Sequence, residues 1–213
     1  MGKKSKFIIS FLVWALAALA FFYTLVQILN PSEHTEENTV YSADISSTME
    51  YTVRLNDTLV FNRAKDADIA KYYIMPFTDY VSINCSYNLS SQTEASISSE
   101  SYITSFLVSY IDDGSDEVIL WKKEYPLADT ETIETTGTNL SNEKNVKIEF
   151  SEYSELIDQI YETYNFKTNY YIMVVYTAEF VTEYSGITKT KIMQPYIRID
   201  IEDFLFSINQ NSV

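Results

Sequence analysis

Apolar and polar residues alternate with a period of two over most of the chain beyond residue 48, the pattern of strands that bury one face. Between Asp79 and Leu89 one face carries Val81, Ile83, Cys85, Tyr87 and Leu89, and the other Tyr80, Ser82, Asn84, Ser86 and Asn88. Tyr102 to Asp112 and Glu117 to Lys123 predict a hairpin around Asp112-Asp113-Gly114-Ser115, whose Asp-Gly step supplies left-handed backbone positions; Trp121 is expected on its inner face. Tyr170 to Tyr184 is apolar on both faces and is expected to be a central strand. Ser185-Gly186 turns the chain into Ile187 to Ile201, where Pro195 marks an edge or a bulge. With further strands near 49–55, 58–61 and 145–150, the alternation predicts a mainly β fold, an antiparallel immunoglobulin-like sandwich of seven or eight strands.

One segment changes period. After Phe150 the spacing becomes helical, with Ser151 as the expected N-cap and Glu152 and Glu155 in the first turn. Tyr153, Leu156, Ile157, Ile160, Tyr161 and Tyr164 form one apolar stripe, expected to pack on the sheet because a short helix needs tertiary support.

A different pattern precedes the strands. Phe7 to Leu29 runs without a formal charge and as a helix would extend roughly 34 Å, enough to cross a bilayer. Lys3, Lys4 and Lys6 lie before it and Glu33, Glu36 and Glu37 after it, which predicts a cytoplasmic N-terminus and an extracytoplasmic C-terminal part. The alternative is a cleaved signal peptide with Ala18-Leu19-Ala20 as its cleavage site; the anchor is preferred because the apolar run continues through Ile28. The expected organisation is a basic cytoplasmic tail (1–6), a transmembrane helix (7–29), a linker (30–47), an extracytoplasmic β-sandwich domain (48–204) and a C-terminal tail (205–213).

Composition adds two constraints. The 18 tyrosines suit half-buried pleated surfaces, and the formal charge of −15 repels phosphate backbones, which excludes nucleic acid as a partner. Cys85 is the single cysteine, so no intrachain disulfide forms; its strand position makes it a core hydrophobe, not a nucleophile. The sole histidine, His34, falls in the linker and is read as solvated. Asp112, Asp113, Asp116 and Glu117 are a weak Ca²⁺ candidate without the register of an EF-hand loop, and read first as a solvated hairpin tip. Four Asn-X-Ser/Thr sequons are taken as chance in an asparagine- and serine-rich chain. The segment after the span contains no histidine-based triad, zinc motif or Gly-rich phosphate loop, so no catalytic residue and no cofactor is expected. A carboxylate-based hydrolase and a Ser-Lys dyad stay open in principle, with no position singled out for either.

The basic start, the single span, Tyr51-Thr52-Val53-Arg54-Leu55-Asn56-Asp57-Thr58-Leu59-Val60, Ile119-Leu120-Trp121-Lys122-Lys123, the helix after Phe150 and the Tyr171 to Ala178 strand together resemble an uncharacterised family of single-pass envelope proteins in archaea and Gram-positive bacteria. The resemblance implies a membrane-anchored extracellular β domain, often encoded beside signal peptidase I, with no catalytic residues to carry over. The chain departs from that pattern in a short C-terminus, which ends after Phe204 and Phe206 without a second span. The expected function is a non-enzymatic module that contacts another envelope or secreted protein, anchored in the lipid bilayer through residues 7–29. The alternative is an extracytoplasmic binder of glycan or Ca²⁺.

Overall fold

The computed structural model describes residues 41–56, 66–67 and 72–211. The expected span at 7–29, His34 and the expected strand at 58–61 lie outside them. Among the described residues no helix is long and apolar enough to cross a membrane.

Among the described residues the fold is mainly β with one helix: β1 (Ala43–Leu55), β2 (Asp66–Ala67), β3 (Tyr73–Ile74), a 3-10 turn (Met75–Phe77), β4 (Thr78–Asp112), β5 (Glu117–Ile148), α1 (Phe150–Tyr164), β6 (Asn169–Tyr184), β7 (Ile187–Met193), β8 (Tyr196–Glu202) and β9 (Leu205–Asn211). All pairings are antiparallel and join the strands into a single nine-stranded sheet. β4 is its spine: β5 runs along one side for nearly its whole length, while the other side is shared by β1, opposite 78–91, and β6, opposite 96–110.

A strand of 35 residues would be about 115 Å long if straight, whereas a domain of this size has a radius of gyration of about 15 Å. The strand has to fold over, and the register shows where. Ser90 pairs with Asn139 but Ala95 pairs with Gly137, so 91–94 bulge against Thr138, and Ser91 Oγ ties the corner by donating to Thr93 O (2.8 Å) and Thr138 O (3.3 Å). Past this corner the two halves of the sheet face each other. Tyr87 of the first half meets Phe180 edge-on (ring centroids 4.8 Å) and stacks near Tyr176 (6.2 Å), both from β6.

The expectation of separate strands at 79–89 and 101–112, and at 117–123 and 145–150, is therefore corrected: each pair is one long strand bent in the middle. The layers are those of a sandwich, but one curled sheet supplies both, so the two-sheet immunoglobulin-like arrangement is not the one formed. The bulge at 91–94 provides a corner within the strand where that arrangement would need a loop.

Alternation places the core as expected. Val81, Ile83, Cys85, Tyr87 and Leu89 are all buried, as are Ile172, Val174, Tyr176, Ala178 and Phe180 of β6, which is flanked by β4 and by β7 and β8. Each Val, Ile, Leu or Phe side chain among them contributes about 1.5–3 kcal/mol on leaving water. A row of inward serines on β4 docks the overlying elements: Ser99 exchanges a hydrogen bond with Tyr87, Ser105 with Tyr153 of α1 (2.8 Å) and Ser109 with Thr168 (2.7 Å). Trp121 packs partly on the core beside Tyr170.

Several boundaries shift for packing reasons. α1 starts at Phe150 with Glu149 at the N-cap and no side-chain cap, so Ser151 does not cap it. Phe150 is buried against Phe206 (4.6 Å), and that contact sets where the helix begins. β1 starts inside the expected linker, and the expected tail forms β9, paired with β8. Pro195 falls in the break between β7 and β8, where its carbonyl accepts from Tyr176 N (3.1 Å). Ser185 and Gly186, both at positive φ (49° and 78°), make the tight β6–β7 turn.

Candidate functional site

A concavity lies beside α1. It encloses about 550 Å³, within the range of ligand-binding clefts. One wall is the helix face carrying Ser154, Ile157, Asp158 and Tyr161; the other is the end of β8 with Ile201, Glu202 and Asp203; Tyr170 lies between them. Met75 closes one end, held from both sides, because its amide donates to Phe204 O (2.8 Å) and its Sδ accepts from Ser154 Oγ (3.9 Å). Phe166 to Asn169 close the other, and Lys167 crosses to Asp203 at 2.9 Å. That pair is exposed on both sides, so it contributes little to stability.

Local chemistry explains the shape. α1 ends because Asn165 takes the left-handed conformation (φ 48°) and its amide caps Tyr161 O (2.8 Å), which throws Phe166 and Lys167 outward. Asp203 is likewise at positive φ (51°), a conformation aspartate tolerates, and makes the β8–β9 turn that lifts the second wall. The apolar stripe of α1 outruns the surface beneath it: Tyr153 is buried, but Tyr161 and Tyr164 are 52% and 73% exposed, joined by Phe166 and Phe204 at 48% and 60%. The expectation that the whole stripe packs on the sheet is corrected accordingly. Sequence reasoning singled out none of these residues as a site; the available signal was an aromatic stripe continuing to the last turn of the helix and across its cap.

The four candidate Ca²⁺ carboxylates face elsewhere. Asp112 Oδ1 accepts from Gly114 N (2.8 Å), and Asp113 Oδ1 accepts from Ser115 N, Ser115 Oγ and Asp116 N (3.1, 3.1 and 2.9 Å), which holds the Asp113 carboxyl below its ordinary range. Glu117 receives two bonds from Arg198 (2.7 and 2.8 Å), and the same guanidinium donates to Asp200 (2.6 Å) and lies 4.0 Å over the Tyr171 ring. Arg198 keeps the Glu117 carboxyl low. Among the described residues no group of three or more His, Cys, Asp or Glu side chains is arranged to hold a metal ion.

Nucleophile chemistry finds little to work with. Cys85 is fully buried, and burial pushes its thiol up to about 12. Lys144 reaches the serine row but donates to main-chain carbonyls, Ser101 O (2.9 Å) and Asp129 O (3.2 Å), and pairs with Glu131 (3.4 Å). It stitches the two halves of the bent hairpin together.

No protein-family profile matches the sequence, and no curated protein matches it. Among solved structures the chain is similar to a crystal structure of a protein from Archaeoglobus fulgidus, at 8% identity over 76% of this chain and 98% of that one, with a TM-score of 0.32. It is also similar to the putative ApaA protein from Bordetella pertussis, at 10% identity over 78% and 94% of the respective chains, with a TM-score of 0.22. Likeness at these scores carries no functional argument.

Proposed function

We propose that this chain is a membrane-anchored envelope protein whose extracytoplasmic β domain is a non-enzymatic module for contact with another polypeptide, using the α1 cleft. The observation that carries the reading is a set of exposed aromatics: Tyr161 and Phe166 line the cleft, Tyr164 follows on the last turn of the same helix and Phe204 adjoins the lining residue Asp203, and large exposed apolar side chains grouped in this way mark a contact surface. The anchor rests on the uncharged Phe7 to Leu29 segment behind three lysines, and the resemblance to single-pass envelope proteins supports the same placement.

The test uses the full chain in living cells with a photoreactive residue in place of Tyr164 and, as a control, of Thr188 on the exposed strand β7. A specific adduct from position 164 and none from 188 is expected, along with digestion of the domain by protease added to intact cells. Equal labelling from both positions removes the cleft from the reading. Protection from external protease until lysis overturns the topology.

A further inference from the structure

We propose that the α1 cleft takes a basic, apolar segment of another polypeptide, a Lys or Arg side chain set between Asp158 and Glu202 with its apolar neighbours on Ile157 and Phe166. The inference rests on the interaction reading above and adds the chemistry of the partner.

Charge is the first ground. Three carboxylates line the cleft, Asp158, Glu202 and Asp203, against the single cation Lys167, which is already engaged by Asp203. Among the described residues no ion pair includes Asp158 or Glu202. The helix adds to the same sign. A helix C-terminus carries roughly half a negative charge and is commonly complemented by a Lys or Arg in its last turn. α1 has no basic residue in its last turn, and its C-terminal end borders the cleft at Tyr161 and Phe166. A cation brought by a partner supplies what the helix lacks.

The walls then select what carries that cation. Tyr161 and Phe166 offer half-exposed ring faces, which attract Lys or Arg over the ring by about 0.5–2 kcal/mol. A bare metal ion needs convergent oxygen ligands, which the described residues do not gather here, and it would leave Ile157 and Phe166 uncovered. A peptide satisfies both requirements, because a Lys or Arg buries its methylene stem while its neighbours cover the apolar wall. The formal charge of −15 on the whole chain steers such a ligand inward and repels acidic competitors.

The test titrates the full chain in nonionic micelles with a fluorescein-labelled peptide alternating leucine or phenylalanine with arginine, and with twins carrying glutamine or glutamate in place of arginine. The arginine peptide is expected to bind about tenfold more tightly than the glutamine twin, with affinity falling as salt rises. Asp158→Asn with Glu202→Gln should weaken it about fivefold or more. Lys167→Gln, which releases Asp203 from its partner, should tighten it by a few fold, a gain no loss of structure would produce. Asp129→Asn with Glu134→Gln on β5 removes the same charge elsewhere and should change affinity less than twofold. Equal binding of the glutamine twin, or an equal loss in the β5 variant, overturns the basic-partner inference while the cleft's interaction role stands. No binding by any peptide also overturns it, and the position-164 crosslink in cells then decides the wider reading separately.

Discussion

At the scale of single residues, burial decides what the reactive-looking groups do. Cys85 has no solvent exposure, and desolvation raises its thiol to about 12, so the native protein should resist alkylation at pH 8 and react only on unfolding. The same shift sets a pH dependence. Below about pH 8.5 the thiol is protonated in both states and costs nothing; above it the unfolded chain ionises while the folded one cannot, so stability falls as pH rises toward 12. Urea titrations should show a loss between pH 8.5 and 10 that is about 1–2 kcal/mol larger in the wild type than in Cys85→Ala, the buried tyrosines, which begin to ionise in the unfolded chain as pH nears 10, adding equally to both profiles. Arg198 is the opposite case, a charge used fully. Its bonds to Glu117 and Asp200 and its seat on Tyr171 pin β8 to the start of β5, and Arg198→Ala should cost about 1–2 kcal/mol, kept modest by the half-exposed Glu117. Glu117 has a lowered folded pKa, so its contribution is present above its unfolded value near pH 4.3 and disappears as pH falls through the folded one. Glu117→Gln should therefore lie below wild type in stability at pH 7, with the gap closing below about pH 4.

At the scale of elements, α1 is held by its first turns and free at its last. Tyr153 is buried, and its hydroxyl, raised to about 12 by burial, meets Ser105 Oγ at 2.8 Å. Tyr153→Phe removes one buried hydrogen bond and should cost about 1 kcal/mol, whereas Phe150→Ala empties the contact with Phe206 and should cost about 3–5 kcal/mol. Chemical denaturation gives both values, and a cost for Phe150→Ala near that of a surface substitution would mean that packing at Phe206 does not set the helix start. What was legible here follows from how much each element buries. Asp79 to Leu89 and Tyr170 to Tyr184 declare themselves because an apolar face alternates with a polar one or both faces are apolar, and the turns at Asp112–Ser115 and Ser185–Gly186 carry the residues their backbones need. The alternation does not single out the middle of β5, because an edge strand with one neighbour and mostly exposed side chains has no apolar face to display. The union of 79–89 with 101–112 was hidden because Ser99 and Ser101 fill inward positions where an apolar residue would have signalled a strand, and at Ser99 the small hydroxyl makes room for Tyr87, which bonds to it. The cleft was beyond local reading altogether, since Met75, α1 and the β8–β9 turn meet only through tertiary pairing.

At the scale of the whole molecule, a sheet that curls over on itself still has to end somewhere, and among the described residues β5 pairs with β4 alone along its 32 residues. An edge of that length invites pairing with another chain. Several features blunt it. Pro126 lacks an amide hydrogen, Lys144 points inward, and Lys122, Lys123 and Lys147 lie over Phe106, Tyr125 and Tyr80 at 5.2, 5.0 and 4.3 Å, spreading positive charge along the strand. The start of the strand is less protected, with Val118, Ile119 and Leu120 exposed beside Ile111 of β4. Mutual repulsion between copies, from a formal charge of −15, is the remaining barrier at neutral pH, and it vanishes as pH approaches the sequence pI of about 4.4. Sedimentation of the full chain in nonionic micelles at low salt should therefore show reversible association setting in as pH is lowered toward 4.4. Ile119→Lys, which places a charge on the exposed edge, should move that onset to lower pH. The same substitution at Ile192 on β7, equally exposed but away from β5, should not lower it, because the change in net charge is identical and by itself only weakens the repulsion between copies. Equal suppression by both variants would mean that removing an exposed apolar side chain anywhere suffices, and would clear the β5 edge of any special part in association.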